Sequence, residues 1–235
     1  MAEVAARSPV ALSARLDEPL GRWTWLYKWF LAIPHLVVLA LLWMVVVLLT
    51  VVAGISIALT GRYPRGIFDF NLGVMRWTWR VTYYAFTLGT DRYPRFSFEA
   101  DPDYPAQLDI AYPEQLSRGL VWVKWWLLAI PHLLVVSLFT GGVGWHIGGV
   151  VGVLCLVAGV TLALRRPYPT AVFDFVMGMH RWGWRVTAYV LLMRDEYPPF
   201  RLDPGPDEPP PEPAVLERRQ APGPSGEGRP GPLGA

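Results

Sequence analysis

One pattern occurs twice in this chain and constrains everything else. Phe68-Asp69-Phe70, Gly73 and Arg76-Trp77-Thr78-Trp79-Arg80-Val81-Thr82 return, 105 residues later, as Phe173-Asp174-Phe175, Gly178 and Arg181-Trp182-Gly183-Trp184-Arg185-Val186-Thr187. The likeness continues on both sides. Glu18, Leu20, Arg22, Lys28 and Trp29 match Glu114, Leu116, Arg118, Lys124 and Trp125 at an offset of 96, and Ile33-Pro34-His35 matches Ile130-Pro131-His132 at 97. Asp91, Tyr93-Pro94 and Phe96 match Asp195, Tyr197-Pro198 and Phe200 at 104. Self-similarity at a fixed spacing is the signature of a duplicated structural unit. Copy one covers 9–98 and copy two 105–202, with 99–104 as linker.

Hydrophobic residues make up 53% of the 235 and charged residues 17%, with 12 Trp, which is more apolar and aromatic than an ordinary soluble domain. The uncharged runs 29–60 and 125–164 each exceed the roughly 20 residues that cross a bilayer as a helix. The composition therefore predicts an all-α integral membrane protein. The step in offset from 97 to 105 is an eight-residue gain in copy two, and its natural home is the Gly-rich segment 141–148. Such a segment is tolerated best at the tip of a helical hairpin. The expected arms are 120–140 and 149–164 in copy two, and 22–42 and 45–60 in copy one, with a tip near Trp43-Met44. The hairpin tips then carry no charge, every Lys and Arg falls on one side, and the positive-inside rule makes that side, with both termini, cytoplasmic. A rival arrangement gives each copy one long span and uses the Trp/Arg helix as a second. It would carry Arg76, Arg80, Arg181 and Arg185 to mid-bilayer at roughly 2.5–3.5 kcal/mol each.

Each copy opens with a short alternating stretch that reads as a strand, 10–16 or 106–112, and closes with another, 95–98 or 200–202. The segment 203–235 is rich in Pro and Gly and reads as a disordered tail. The N-terminus lacks a short apolar run with a cleavage site, so no removable signal peptide is expected.

The repeated pattern reads as an amphipathic helix, 67–88 in copy one and 171–193 in copy two. On it, Asp69, Gly73, Arg76 and Arg80 fall on one narrow stripe, as do Asp174, Gly178, Arg181 and Arg185. Two placements explain such a stripe. On the membrane surface the Arg side chains meet headgroup phosphates, anionic ones included, and the flanking Trp anchor the interface. Buried in a bundle, the Asp and Arg pair with each other, within or between the copies, or line a polar cavity; a catalytic or transport site is the remaining reading.

His35 and His132 occupy equivalent places in apolar arms and require partners there. Cys155 is the only cysteine, and four scattered His complete no metal set. Tyr63-Pro64, Tyr93-Pro94, Tyr168-Pro169 and Tyr197-Pro198 read as punctuation at helix exits. There is no nucleotide loop, nucleophile elbow or paired metal-binding carboxylate. A formal charge of +2 gives no nucleic-acid footprint. No catalytic residue, metal or cofactor is expected.

At Lys28-Trp29-Phe30-Leu31-Ala32-Ile33-Pro34-His35, Thr60-Gly61-Arg62-Tyr63-Pro64-Arg65-Gly66-Ile67-Phe68-Asp69-Phe70 and Arg76-Trp77-Thr78-Trp79-Arg80 the chain resembles a bacterial membrane family catalogued as domain of unknown function 4389. Copy two departs from it at Leu164-Arg165-Arg166-Pro167-Tyr168-Pro169, where Thr-Gly-Arg is missing, and by its tip insertion. The resemblance implies a bacterial inner-membrane protein and carries no activity. The expected role is a non-enzymatic scaffold, partner-binding or lipid-interacting module. Its expected partners are membrane lipids and a membrane protein or second copy of the chain. The alternative is a small transporter or channel with a polar path between the copies.

Overall fold

The computed structural model describes residues 10–124, 129–140, 149–199 and 202–203. In order, the elements are β1 (Val10–Ala14), α1 (Thr24–Thr60), α2 (Arg65–Thr82) with a π-helical turn at Tyr83–Thr87, β2 (Ala106–Ile110), α3 (Leu120–Val123), α4 (Ala129–Thr140), α5 (Gly149–Ala163) and α6 (Thr170–Val190). The protein is mostly helical, with one small sheet. Among the described residues α1 is the one helix long and apolar enough to cross a membrane.

Seven of the 37 residues of α1 are Val and it also holds Pro34 and Gly54, all weak helix formers, so propensity alone does not make this helix. A packed seam does. Lys28, Ala32, His35, Leu39, Val46, Thr50, Ala53 and Ile57 are buried at helical spacing along its 37 residues. The helix stops at Gly61, which takes the left-handed conformation (φ 73°) and returns its N–H to the Ile57 carbonyl at 2.8 Å. Pro64 then precedes α2, where its fixed φ suits a helix entrance.

The hairpin expected in copy one, with arms 22–42 and 45–60, is not formed. Trp43 and Met44 lie inside continuous helix, because neither Gly nor Pro interrupts the hydrogen-bond ladder there. Trp43 is further fixed by its Nε1–H bond to Thr78 Oγ1 at 3.0 Å. In copy two α4 and α5 are separate helices that touch. The expected tip 141–148 lies outside the described residues.

The opening strands form, and they pair with each other. β1 and β2 run antiparallel with Leu12 opposite Leu108. Val10, Leu12, Ala14, Ala106, Leu108 and Ile110 face inward, while Ser13, Gln107 and Asp109 face out. The closing strand expected at 95–98 is irregular chain instead. Its groups are spent on helix packing: Phe96 stacks on His35 with ring centroids 3.8 Å apart, and Arg80 takes the Ser97 carbonyl. Phe98 packs so closely on Gly73 that a Cβ there would lie 2.7 Å from the Phe98 Cβ. Of the second closing strand, Phe200 and Arg201 lie outside the described residues, as does the tail beyond Asp203.

Three layers result. α2 and α6 are buried nearly all round and form the middle layer, with Trp79 edge-on to Trp184 at 6.4 Å. On one side of α2, Asn71, Trp77 and Thr78 bond α1 through Thr50, His35 and Trp43. On the opposite side, Gly73, Arg76 and Arg80 meet Phe98, Leu108 and Ser97. So α1 lies on one face of α2, and the sheet with its loops on the other.

The offset between the copies drops from 105 at Thr82/Thr187 to 104 at Asp91/Asp195. Copy one thus holds one extra residue, and the π-helical turn Tyr83–Thr87 absorbs it. Register is restored at once, since Leu88 and Leu192 both take φ of 60°.

Candidate functional site: polar seams and a cavity between the copies

The Arg stripe turns toward the sheet, and it does so across copies. Arg76 donates from Nε to the Leu108 carbonyl at 3.1 Å and pairs with Asp109 at 2.7 Å. Arg181 donates from Nε to the Leu12 carbonyl at 3.0 Å and from Nη1 to the Asp203 carbonyl at 2.5 Å. Thus the helix of each copy holds the strand of the other. Arg80 is buried, with an Nη2 bond to Ser97, and Arg185 pairs with Asp203 at 2.6 Å. The two carboxylates of the stripe stand apart from these contacts. Asp69 is exposed and meets Arg65 one turn earlier at 3.4 Å, and Asp174 is half-buried.

Other equivalent residues repeat their bonds. Lys28 is buried and bonds the Thr90 carbonyl and Asp91, as Lys124 bonds the Arg194 carbonyl and Asp195. Burial works against the Asp91 carboxylate, but Lys28, the Gly21 N–H and Thr24 outweigh it and hold the carboxyl below its ordinary value. Trp77 donates to His35 Nδ1 at 3.0 Å, and Trp182 to His132 Nδ1 at 3.3 Å. Two of the Tyr-Pro tyrosines link the copies. Tyr63 donates to the Leu191 carbonyl at 3.1 Å, and Tyr168 to the Thr87 carbonyl at 2.9 Å. Burial pushes the Tyr63 hydroxyl up to about 12, against the pull of Asn71 and Thr50. Among the described residues no three His, Cys, Asp or Glu side chains gather as a metal set would require. His and Arg are thus engaged in internal polar seams.

The open space is elsewhere. A cavity of about 500 Å³ lies between the copies, walled by α1 and α4 and floored by α2 and α6. Leu36, Leu39, Val47, Leu133, Val136 and Val190 make it predominantly hydrocarbon. Two of its hydroxyls turn onto their own helices: Thr78 bonds the Val74 carbonyl at 2.7 Å, and Thr187 the Gly183 carbonyl at 2.9 Å. His180 meets Thr87 at 3.1 Å. Sequence reading missed this site. Its signal is one difference inside the repeated pattern, Thr78 in copy one against Gly183 in copy two.

A family model described as a domain of unknown function, DUF4389, matches residues 22–97 and again 121–201, about two thirds of the chain. The chain belongs to the DUF4389 family. Both DUF4389 matches take in a Pro-His arm and a Trp/Arg helix. Neither includes β1 or β2, so the strands that the copies exchange lie outside the matched segments. No curated protein and no solved structure matches the chain.

Proposed function

We propose that this DUF4389 protein is a non-enzymatic, lipid-interacting membrane protein whose α1/α4/α5 layer lies within one leaflet. The observation that carries this reading is the opposition of the two outer faces of α2. The α1 side exposes Phe30, Leu41, Met44, Leu48, Ile55 and Leu59. The sheet side exposes Arg92, Arg95, Glu99, Asp103 and Asp109. The boundary between hydrocarbon and water therefore runs along the helices, not across them.

Length supports the same orientation. At 1.5 Å per residue, α1 is roughly 55 Å long. The hydrocarbon core is about 30 Å thick, and spanning helices tilt by at most about 40°. An upright α1 would overrun the core and carry the charged sheet into it. Lying flat, α1 keeps its backbone bonds satisfied internally, and the sheet stays in water. Arg22, Arg165 and Arg166 then sit at one end of the apolar layer, and Arg62, Arg65 and Arg118 at the other, all exposed. They suit the anionic headgroups of a cytoplasmic leaflet, in keeping with a bacterial inner membrane. The space between the copies is mainly hydrocarbon, which favours lipid over the ions of a transport path.

Nitroxide depth measurements in proteoliposomes test the orientation. Labels are placed on Cys introduced at Phe30, Met44 or Ile55 in a Cys155→Ala background. Similar shallow depths at all three sites are expected. A Met44 label far deeper than the other two would overturn the proposal in favour of an upright helix.

A further inference from the structure

The cavity between the copies is bordered by a position at which the two copies differ, Thr78 in one and Gly183 in the other. In copy one, Thr78 carries a side chain whose hydroxyl accepts the Trp43 indole bond, and both residues form part of the wall. In copy two the position is Gly183, and a Cβ built there would meet nothing within 4 Å. The missing side chain leaves volume that neighbouring residues do not reclaim. The space of about 500 Å³ opens onto the apolar outer face of α1, so its contents are set by what meets that face. Water gains little in a space whose lining is mostly Leu, Val, Phe and Met side chains.

From this we infer that the cavity is a binding site for one acyl chain of a bilayer lipid. Its volume is within the range of ligand sites, about 300–1,000 Å³. Ala40 and Val47 line it and are also exposed on α1, so it is continuous with the apolar outer surface. The inference rests on the membrane orientation proposed above, which puts that surface in hydrocarbon. A lipid tail leaves the bilayer between α1 and α4 and lies against α2 and α6, with its headgroup remaining at the leaflet surface. The wall is made by both copies, so occupancy also fills the seam between them.

Photo-labelling in proteoliposomes tests this. One set of vesicles contains a phospholipid with a diazirine in its acyl chain, and another contains a free diazirine fatty acid. Peptides are then mapped by mass spectrometry. The phospholipid is expected to label 78–86 and 179–191 as well as the exposed face of α1. Gly183→Leu takes space inside the cavity and Ala40→Phe obstructs its opening, and each should reduce labelling of 179–191, while labelling of α1 around Leu59 persists. Labelling of 179–191 unchanged in both variants overturns the inference. Labelling by the free fatty acid alone overturns the lipid as its source. Flotation with vesicles separates the two proposals. Protein that floats but shows no cavity label sinks only the cavity site, whereas protein that does not float sinks the membrane reading beneath it.

Discussion

Arg181 donates its Nε–H to the carbonyl of Leu12 at 3.0 Å, joining the last helix to the first strand across 169 residues of sequence. Arg76 and Leu108 repeat the bond at 3.1 Å with the copies reversed. The reciprocity is what assembles the two copies, but the two bonds are not of equal weight. Arg181 is fully buried, whereas Arg76 is partly exposed and its partner Asp109 is 70% exposed. Buried hydrogen bonds to a charged group contribute about 1.5–3 kcal/mol, while exposed ion pairs contribute under about 1 kcal/mol. Arg181→Met should therefore destabilise by about 3 kcal/mol and Arg76→Met by about 1 kcal/mol. Denaturant unfolding in detergent measures both, and equal losses would contradict the argument.

Lys28 is nearly inaccessible and has Asp91 2.6 Å away. Removing one partner of a buried pair strands the other, at about 3–5 kcal/mol. Asp91→Asn should show such a loss, and Lys28→Met with Asp91→Leu should recover much of it. The folded carboxyl titrates below the ordinary value of 3.8. Its contribution is thus present above that value and is lost as pH falls through the depressed folded value. The acid limb of a stability–pH curve should flatten in the double variant.

Tyr63 behaves in the opposite sense. Its hydroxyl titrates near 12 when folded, against an ordinary 10.0. The protonated form is the one the fold accommodates, so its contribution is complete below pH 10 and is lost as pH rises toward 12. Tyr63→Phe should cost about 1 kcal/mol at neutral pH by removing the bond to Leu191. It should also reduce the alkaline loss, as read from melting temperatures on either side of pH 10.

Arg165 takes a left-handed conformation (φ 59°) at the end of α5, where the equivalent turn after α1 uses Gly61. A side chain in that conformation costs roughly 1–2 kcal/mol. Arg165→Gly should raise the stability of the protein by about 1 kcal/mol, measured by thermal unfolding. Leu192→Gly would be a poor substitute, because the Leu192 side chain is buried in the core.

Much of this molecule is legible in its sequence, because duplication exposes which residues matter. The Arg stripe forms one face of one helix in each copy, and the opening strands form within the stretches that alternate. Even the π-helical turn is foreshadowed by the one-residue step in offset between Thr82 and Asp91. Two features are not legible. The hairpin in copy one was argued from the glycines of copy two, yet Trp43-Met44 offers no break of its own, and a local ladder cannot be overruled by a homologous loop. The pairing of β1 with β2 is a long-range choice, since each strand's alternating pattern would serve either helix equally well. The cavity is not legible either, because it depends on how α1, α2, α4 and α6 pack across the copies.

The exchange of strands has a consequence for separability. β1 packs on α6 and β2 on α2, so a polypeptide holding only one copy would own a strand it could not use and a helix it could not cover. Cutting the chain within 99–104 should leave two fragments that are each unstable alone but reconstitute when co-expressed, a result that co-purification through a tag on either half would reveal. In physical terms the chain is an intertwined dimer whose two subunits happen to share one backbone.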